Sequence, residues 1–460
     1  MKTTDWTGRK VLIIGAARQG TALARYLVQQ GASVVINDRR SAAELAAVQT
    51  ELADLPVKWA LGGHPLELLD DLDLICPSGG IPLNLPLVAE ALRLGIAVSN
   101  DSQIFLDAAP CKVVGITGSA GKTTTTTLVG RMARAAFGED RVWVGGNIGN
   151  PLISELDQIG PTDLAVIELS SFQLDVMTSS PQIAAVLNIT PNHLDRHGSM
   201  PAYTSAKARI LDYQSQDGIA VLGSEDPGAW ALAGTVQGQL VSFGRQRAAT
   251  DAGTFLDGDW LSLWEGEHLQ QVLSREAIAL RGTHNLLNVL AACAIGYAAG
   301  IPAAAMQAGV AGFGGVPHRL ELISQWGQVD WYNDSIATAP ERAIAAIRAF
   351  DEPLVLLAGG RDKDLPWEEL AALIRQRVDH LVLFGEAAEL IAGVVGQVRP
   401  GSRPYSIEIC SGLETAVEAA ARVVEAGDIV LLSPGGTSFD EFRDFAERGE
   451  WYRKWVNKLP

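Results

Sequence analysis

The stretch that most limits what this chain can fold into is VVGITGSAGKTTTTTL, residues 113 to 128. Val113, Val114 and Ile116 read as a buried strand. Gly118-Ser119-Ala120-Gly121 reads as a turn, and Lys122, Thr123 and Thr124 open an Ala/Leu-spaced helix. Glycines let backbone N–H groups approach phosphate oxygens, and the helix end adds positive potential. Lys122 supplies a mobile cation, and a threonine hydroxyl can ligate Mg²⁺. The chemistry suits a polyphosphate. The G-x-x-x-x-G-K-[ST] spacing is not met, because Ile116 stands where the first glycine belongs. A glycine-rich turn without a ligand is the alternative, but Gly-Lys-Thr at a strand-to-helix junction favours the phosphate site.

A chain of 460 residues exceeds one ordinary core and suggests about three domains. Its 47% hydrophobic and 19% charged residues indicate a folded protein. The formal net charge of −17 excludes a general nucleic-acid or anionic-membrane surface, so an anionic ligand must meet a local Arg/Lys cluster. Cys76, Cys111, Cys293 and Cys410 are dispersed, as free thiols in a reducing cytoplasm would be. MKTTDWTGRK has no signal-peptide apolar run. Val289 to Met306, the most apolar stretch, is Ala/Gly-rich and broken by Pro302, which predicts a buried helix and a turn rather than membrane insertion.

In chain order, KVLIIGA (10 to 16), a helical stretch after Gly20, and VVINDRR form a βαβ opening. In GAARQG, Ala17 replaces the middle glycine of a dinucleotide fingerprint, while Asp38 ends the second strand where such folds hold a ribose. A nicotinamide site, another nucleotide or no ligand all fit. LDLICPSGG ends in small residues that suit either a crevice or an ordinary turn. Asn100 to Pro110 reads as a connector. Strands then follow at VWVGGN, LAVIELSS and IAAVLNIT, implying a mostly parallel sheet. Glu168 lies inside the second of these, where a carboxylate is costly unless paired or metal-bound. Asn192, His193, Asp195 and His197 come after the third strand, and a short helix from Tyr203 to Ile210 presents Lys207 and Arg209. Glu168, one histidine and a loop threonine fit an oxygen-rich Mg²⁺ site better than structural zinc.

Residues 218 to 280 carry short strands and no legible motif. A long helix begins near Thr283 or His284, with Asn285 and Asn288 one turn apart; near a helix start, capping or solvation is the usual role. GFGGVP (312 to 317) reads as a hinge before a third α/β segment. There, Thr338-Ala339-Pro340-Glu341 and Ser438-Phe439-Asp440-Glu441 fit capping boxes, and Asp334 and Lys363 sit just past strand ends.

Taken together, ITGSAGKTT, IELSSFQL, NITPNHLDRH, YTSAKARI, GTHNLLN, VPHRLE, NDSIAT and LLSPGGTSFDEF, in this order, resemble the ATP-dependent Mur ligases of peptidoglycan precursor synthesis. The likeness is strongest to the branch acting on UDP-N-acetylmuramoyl-L-alanine and glutamate. It implies an α/β enzyme of three domains: a Rossmann-like UDP-sugar domain (1–108), a central P-loop ATPase-like domain (109–314) and a Rossmann-like amino-acid domain (315–460). ATP would phosphorylate the terminal carboxylate of the UDP-linked substrate, and the amine of glutamate would displace the phosphate. By matched motif positions, Gly118, Ser119, Ala120, Gly121, Lys122, Thr123 and Thr124 would bind ATP phosphates. Asn285 and Asn288 would face adenine, with Arg319 and Asp334 contacting nucleotide from the third domain. Thr123, Glu168, His193 and Lys207 would hold two Mg²⁺ ions, Lys207 as a carbamate, with Lys122, His193 and Lys207 serving catalysis. Gly15, Arg18, Asp38, Arg39, Ser78, Gly79, Asn147 and His193 would meet the UDP-sugar, and Thr338, Lys363, Ser438 and Phe445 the glutamate. A cytoplasmic monomer is expected.

The chain departs from the family where Ile336 replaces a lysine after Asp-Ser and GGRDKD replaces a GGDGK-like loop. These changes surround the amino-acid pocket and leave D- and L-glutamate both open. A nicotinamide-dependent oxidoreductase using GAARQG, a folylpolyglutamate-type ligase and a non-catalytic ATP-binding regulator are the other classes.

Overall fold

The computed structural model describes residues 4–459, apart from the side chain of Asp195. Three sheets follow one another along the chain. The first contains β1 (Lys10–Ile14), β2 (Ser33–Asp38), β3 (Lys58–Leu61), β4 (Leu74–Pro77) and β5 (Ala97–Val98), all parallel in the order β3-β2-β1-β4-β5. Strand order reverses beside β1, so the crevice at the carboxyl ends of β1 and β4 is where a ligand fits such a sheet. Gly15 and Ser78 stand at those ends.

The second sheet contains β6 (Lys112–Thr117), β7 (Val142–Gly146), β8 (Leu164–Glu168), β9 (Ile183–Val186), β10 (Ile219–Gly223), β11 (Gln239–Phe243), β12 (Ala252–Asp257), β13 (Trp260–Glu265) and β14 (His268–Ser274). Its order is β14-β13-β12-β11-β10-β9-β6-β8-β7. Strand β6 lies between β8 and β9 and is parallel to both. Being covered on both faces, it is an apolar run rather than an alternating one. The unreadable stretch from 218 to 280 supplies β10 to β14, ending in an antiparallel meander. The helices Lys122–Phe137 and Thr283–Ala299 pack together in this region. Among the described residues, no helix is long and apolar enough to cross a membrane.

The third sheet contains β15 (Glu321–Trp326), β16 (Val329–Asn333), β17 (Leu354–Gly359), β18 (His380–Phe384), β19 (Ser406–Ile409) and β20 (Ile429–Gly435), in the order β15-β16-β20-β17-β18-β19. Only β15 runs antiparallel to its neighbour. The last strand, β20, is inserted between β16 and β17, which places the loops after all three side by side.

The chain packs as two compact units. One runs through Ile278 and takes in Thr283–Phe313; the other comprises Ala279–Gly282 and the chain from Gly314 onward. The first two sheets share one apolar core, to which Trp6, Leu27 and Ile36 contribute from one side and Leu152, Ile167 and Tyr203 from the other. The expected connector at 100 to 110 is a helix, Asp101–Ala108, capped by Asn100 accepting from Gln103 N at 2.8 Å. Ile104 and Phe105 bury it in that shared core, and burial pushes Asp101 up to about 6. Asn100 Nδ2 also donates to Gln173 O at 2.8 Å, tying this helix to the middle sheet.

Candidate active site

Strand β6 ends in the Gly118–Gly121 loop, and the helix that starts at Lys122 gives the loop its floor of N-terminal N–H groups. Gly121 has φ +82, and a β-carbon there would stand 2.2 Å from Asn288 Oδ1. A β-carbon on Gly118 would meet that of Leu187 at 2.9 Å. Asn188 clamps the loop from the end of β9, its Oδ1 accepting from Ala120 N at 2.8 Å and its Nδ2 donating to Ala120 O at 3.1 Å. Ser119 Oγ donates to Thr190 O at 2.9 Å and lies 2.9 Å from Tyr203 Oη. Asn285 and Asn288 meet through a 3.1 Å hydrogen bond, so the adenine candidates and the phosphate candidates adjoin. Lys122 Nζ donates to Gly118 O at 2.8 Å.

At the end of β8, Glu168 is 2% exposed. Its Oε2 accepts from Thr123 Oγ1 and its Oε1 from Asn147 Nδ2, both at 2.9 Å. Both bonded donors are neutral groups, so the buried carboxyl oxygens suit a cation. Among the described residues, no three His, Cys, Asp or Glu side chains form a ready-made metal cluster. A few protein oxygens completed by phosphates and water is the arrangement Mg²⁺ prefers, so these residues fit that ion. Lys207, 1% exposed, approaches the same loop from the Met200–Asp212 helix. Its Nζ donates to Gly118 O at 2.9 Å and lies 4.8 Å from the Tyr203 ring centre. Burial, and then the Lys122 charge, bring its pKa down to about 7, while Glu168 pulls it upward. His193 is exposed, has φ +52, and sets its ring edge-on to Phe172 at 5.2 Å.

The crevice of the first sheet collects Gly15, Arg18, Ser78 and Gly79. A β-carbon on Gly15 (φ +103) would lie 2.9 Å from Ser78 Oγ, and Arg18 Nη1 donates to Gly149 O at 3.1 Å. A β-carbon on Gly79 would approach Gln19 and Gln173. Two of the expected sugar contacts are bonded within the protein. Asn147 sits on Glu168 at the phosphate loop. The Asp38 carboxylate accepts from Ala16 N at 2.9 Å and from Arg40 Nη2, Nε and N at 2.7, 3.0 and 3.0 Å. Arg40 folds back two residues and holds that carboxyl far below the usual range. Asp38 therefore pins the turn after β1, and the nicotinamide reading loses the acceptor it needed for a ribose. Arg39 is exposed beside it.

In the second unit, Asp334 is 5% exposed and accepts from Leu320 N at 3.2 Å and Ser433 Oγ at 2.9 Å. Burial pushes it up to about 7. Arg319 is exposed, between His318 (φ +64) and Leu320 (φ +43). Both expected capping boxes are absent. The Pro340–Ile347 helix has Ala339 at its cap without a side-chain bond, because Thr338 stands one residue too early. No helix starts at Ser438; the next one, Phe445–Val456, is capped by Asp444. Thr338 and Ser438 are thereby spared for other work. Lys363 is exposed on the loop after β17, and Phe445 packs its ring against His318 at 6.1 Å.

A residue the sequence reading missed holds these loops together. Arg448, completely buried, donates to Ser335 Oγ at 3.0 Å, Ser335 O at 2.9 Å and Gly436 O at 3.1 Å. Its Nη1 would stand 2.8 Å from a β-carbon on Gly360. In sequence it looks like one more charge on a polar helix.

Comparison with known proteins agrees with this layout. Residues 9–100 match the MurD-like N-terminal domain of Mur ligases, 116–296 the Mur ligase middle domain, and 318–436 the glutamate ligase domain of Mur ligases. The chain is 41% identical over 452 residues to a UDP-N-acetylmuramoylalanine--D-glutamate ligase of Symbiobacterium thermophilum, covering 98% of each. It is 39% identical over 459 residues to one of Pelotomaculum thermopropionicum, covering 99% of each. A crystal structure of MurF from Acinetobacter baumannii shares the fold with TM-score 0.58 at 18% identity, over 97% of this chain and 93% of that one. With sequence likeness along almost its whole length, all three domain types and the loop geometry in agreement, this chain belongs to the Mur ligase family.

Proposed function

We propose that this ATP-dependent, ADP-forming ligase adds D-glutamate to UDP-N-acetylmuramoyl-L-alanine. The observation that carries the reading is one bonded network at the end of β6. Lys207 reaches Gly118 on one side of the phosphate loop, and Thr123 holds Glu168 on the other. The names of the two bacterial relatives point to the same substrates.

In this reading an oxygen of the alanyl carboxylate attacks the γ-phosphorus of ATP, and ADP leaves. The glutamate amine then attacks the acyl carbon and loses a proton, and inorganic phosphate departs, leaving the amide. A carboxylate is a poor electrophile until it carries that leaving group, and fixed positive charge must offset what gathers during transfer. Gly118 to Thr124 and Lys122 cradle the phosphates, and Asn285 and Asn288 take the base. Thr123, Glu168, His193 and Lys207 would hold two Mg²⁺ ions, which supply charge neutralisation at the phosphates. Burial favours the neutral amine of Lys207, the form that adds CO₂: an N–C bond forms, a proton goes to solvent, and a carbamate oxygen becomes available to metal.

Gly15, Arg18, Ser78 and Gly79 bind the UDP-sugar within residues 1–108, ahead of the ATP segment 109–314. Thr338, Lys363, Ser438 and Phe445 receive glutamate within 315–460, and Arg319 and Asp334 are assigned to the nucleotide. A monomer working in the cytoplasm completes the reading, supported by the free thiols of all four cysteines.

Ile336 and the GGRDKD loop keep L-glutamate as the second candidate. Phosphate release measured with D- and L-glutamate side by side decides between them. Release that requires both the UDP-linked acceptor and D-glutamate is the expected result; equal release without either substrate would overturn the ligase reading.

A further inference from the structure

His197 closes the short helical turn that His193 opens, and it is not needed by any step above. Its side chain is 4% exposed. Nε2 lies 2.9 Å from Ser171 Oγ, and Nδ1 lies 3.9 Å from Asp175 Oδ2. In either tautomer Nε2 shares a hydrogen bond with the Ser171 hydroxyl, which can donate or accept. The ring stacks on Phe172 at 5.1 Å and 3°, and Phe172 also meets His193 edge-on, so one phenyl ring contacts both histidines.

The partner of His197 is rigid. Ser171 opens the turn Ser171–Leu174, three residues after Glu168. That turn is fixed by the reciprocal bonds of Ser170 and Gln173, and Gln173 Nε2 donates to Ser102 Oγ at 2.8 Å. His193 is the opposite case. A non-glycine residue in the left-handed region is strained and persists only where its surroundings enforce it. Its carbonyl accepts from His197 N at 3.0 Å, so the anchored end of the turn is bonded directly to the strained end.

We propose that His197 is a positioning residue: bonded to Ser171 and stacked on Phe172, it fixes His193 relative to Glu168. This rests on the reading that both of those residues face metal. The Ser171–His197 bond ties the strand end that carries one ligand to the turn that carries the other, and so sets the span a metal–nucleotide complex must fit.

The test is calorimetric affinity for Mn²⁺ with a non-hydrolysable ATP analogue, together with melting temperature, in the full chain. His197→Phe keeps the stacking and loses the bond; Ser171→Ala loses the bond from the other side. Each is expected to weaken binding by about 10-fold, the lower end of what removal of a group supporting a metal ligand costs. The double variant should lose no more than either alone, because one bond is being removed. His197→Gln, which restores a polar group facing Ser171, should recover most of the affinity. Unchanged affinity in both single variants, or losses that multiply, would overturn the proposal. So would a lowered melting temperature with intact affinity. If His197→Phe fails to fold, Ser171→Ala and His197→Gln carry the same decision. Glu168→Gln separates the two levels: retained metal–nucleotide affinity there overturns the underlying reading, whereas its loss beside intact His197 and Ser171 variants overturns only this proposal.

Discussion

The phosphate loop and the loops proposed to receive the amino acid differ in how much of each is enclosed. At the loop, backbone and buried side chains define the site: Gly121 leaves room for Asn288, Asn188 grips Ala120 twice, and Glu168 and Lys207 are almost wholly enclosed. In the second unit, Lys363 and Arg319 lie exposed on loops, whereas Asp334, Ser438 and Arg448 are buried, Arg448 joining the loop after β16 to the loop after β20. A site made of enclosed, mutually bonded groups leaves little room for substitution. Exposed loop positions can change without unpicking a core. Ile336 and GGRDKD fall on such loops.

The strongest way to break this contrast is Lys207→Ala. Loss of one fixed group from an electrostatic site costs about 10²–10³ in kcat. Turnover should therefore fall at least that far in a phosphate-release assay, with partial recovery on adding a short carboxylic acid; near-normal turnover would mean that the buried amine is only structural. Gly121→Ala comes next. The added methyl meets Asn288 in a backbone region costing about 1–3 kcal/mol for non-glycine residues, and nucleotide affinity should drop along with the melting temperature. Lys363→Ala should do the reverse. It should raise KM for glutamate about 10-fold, the loss of roughly 1.4 kcal/mol of binding, and leave the melting temperature nearly unchanged, as exposed positions do. A KM rise confined to ATP would erase the distinction between the two regions.

The smallest effect concerns pH. Asp334 is raised from an ordinary 3.8 to about 7 by burial. Between those values the folded state holds a proton that the unfolded state releases, so its contribution to stability declines as pH rises and is fully lost above about 7. The melting temperature of Asp334→Asn should accordingly gain on the parent from pH 4 toward pH 7. A constant difference across that range would show that Asp334 does not titrate there.

Legibility in the sequence follows the same divide. The β6 turn and helix could be read because glycine, lysine and threonine occur there in fixed order over adjacent residues, and each type has a local reason. The βαβ opening and the helix near Thr283 were legible for the same cause. Asp38 was not: its partner Arg40 is two residues away, but only the curl of the turn after β2 brings the guanidinium onto the carboxylate. Thr338 and Ser438 matched a capping pattern, yet Asp444 caps one helix and Ala339 stands at the cap of the other, which begins at Pro340. Arg448 gave no signal, since a buried arginine and a solvated one look alike on a polar helix. Asn100 to Pro110 looked like linker because Asn and Pro bracket it; Ile104 and Phe105 turn it into core.

That buried helix has a practical corollary. With Phe105 and Trp6 joined to the same apolar mass as Ile167 and Tyr203, cutting the chain after the first sheet would bare an oily face on both fragments. Heat should dissolve the first two sheets in a single step.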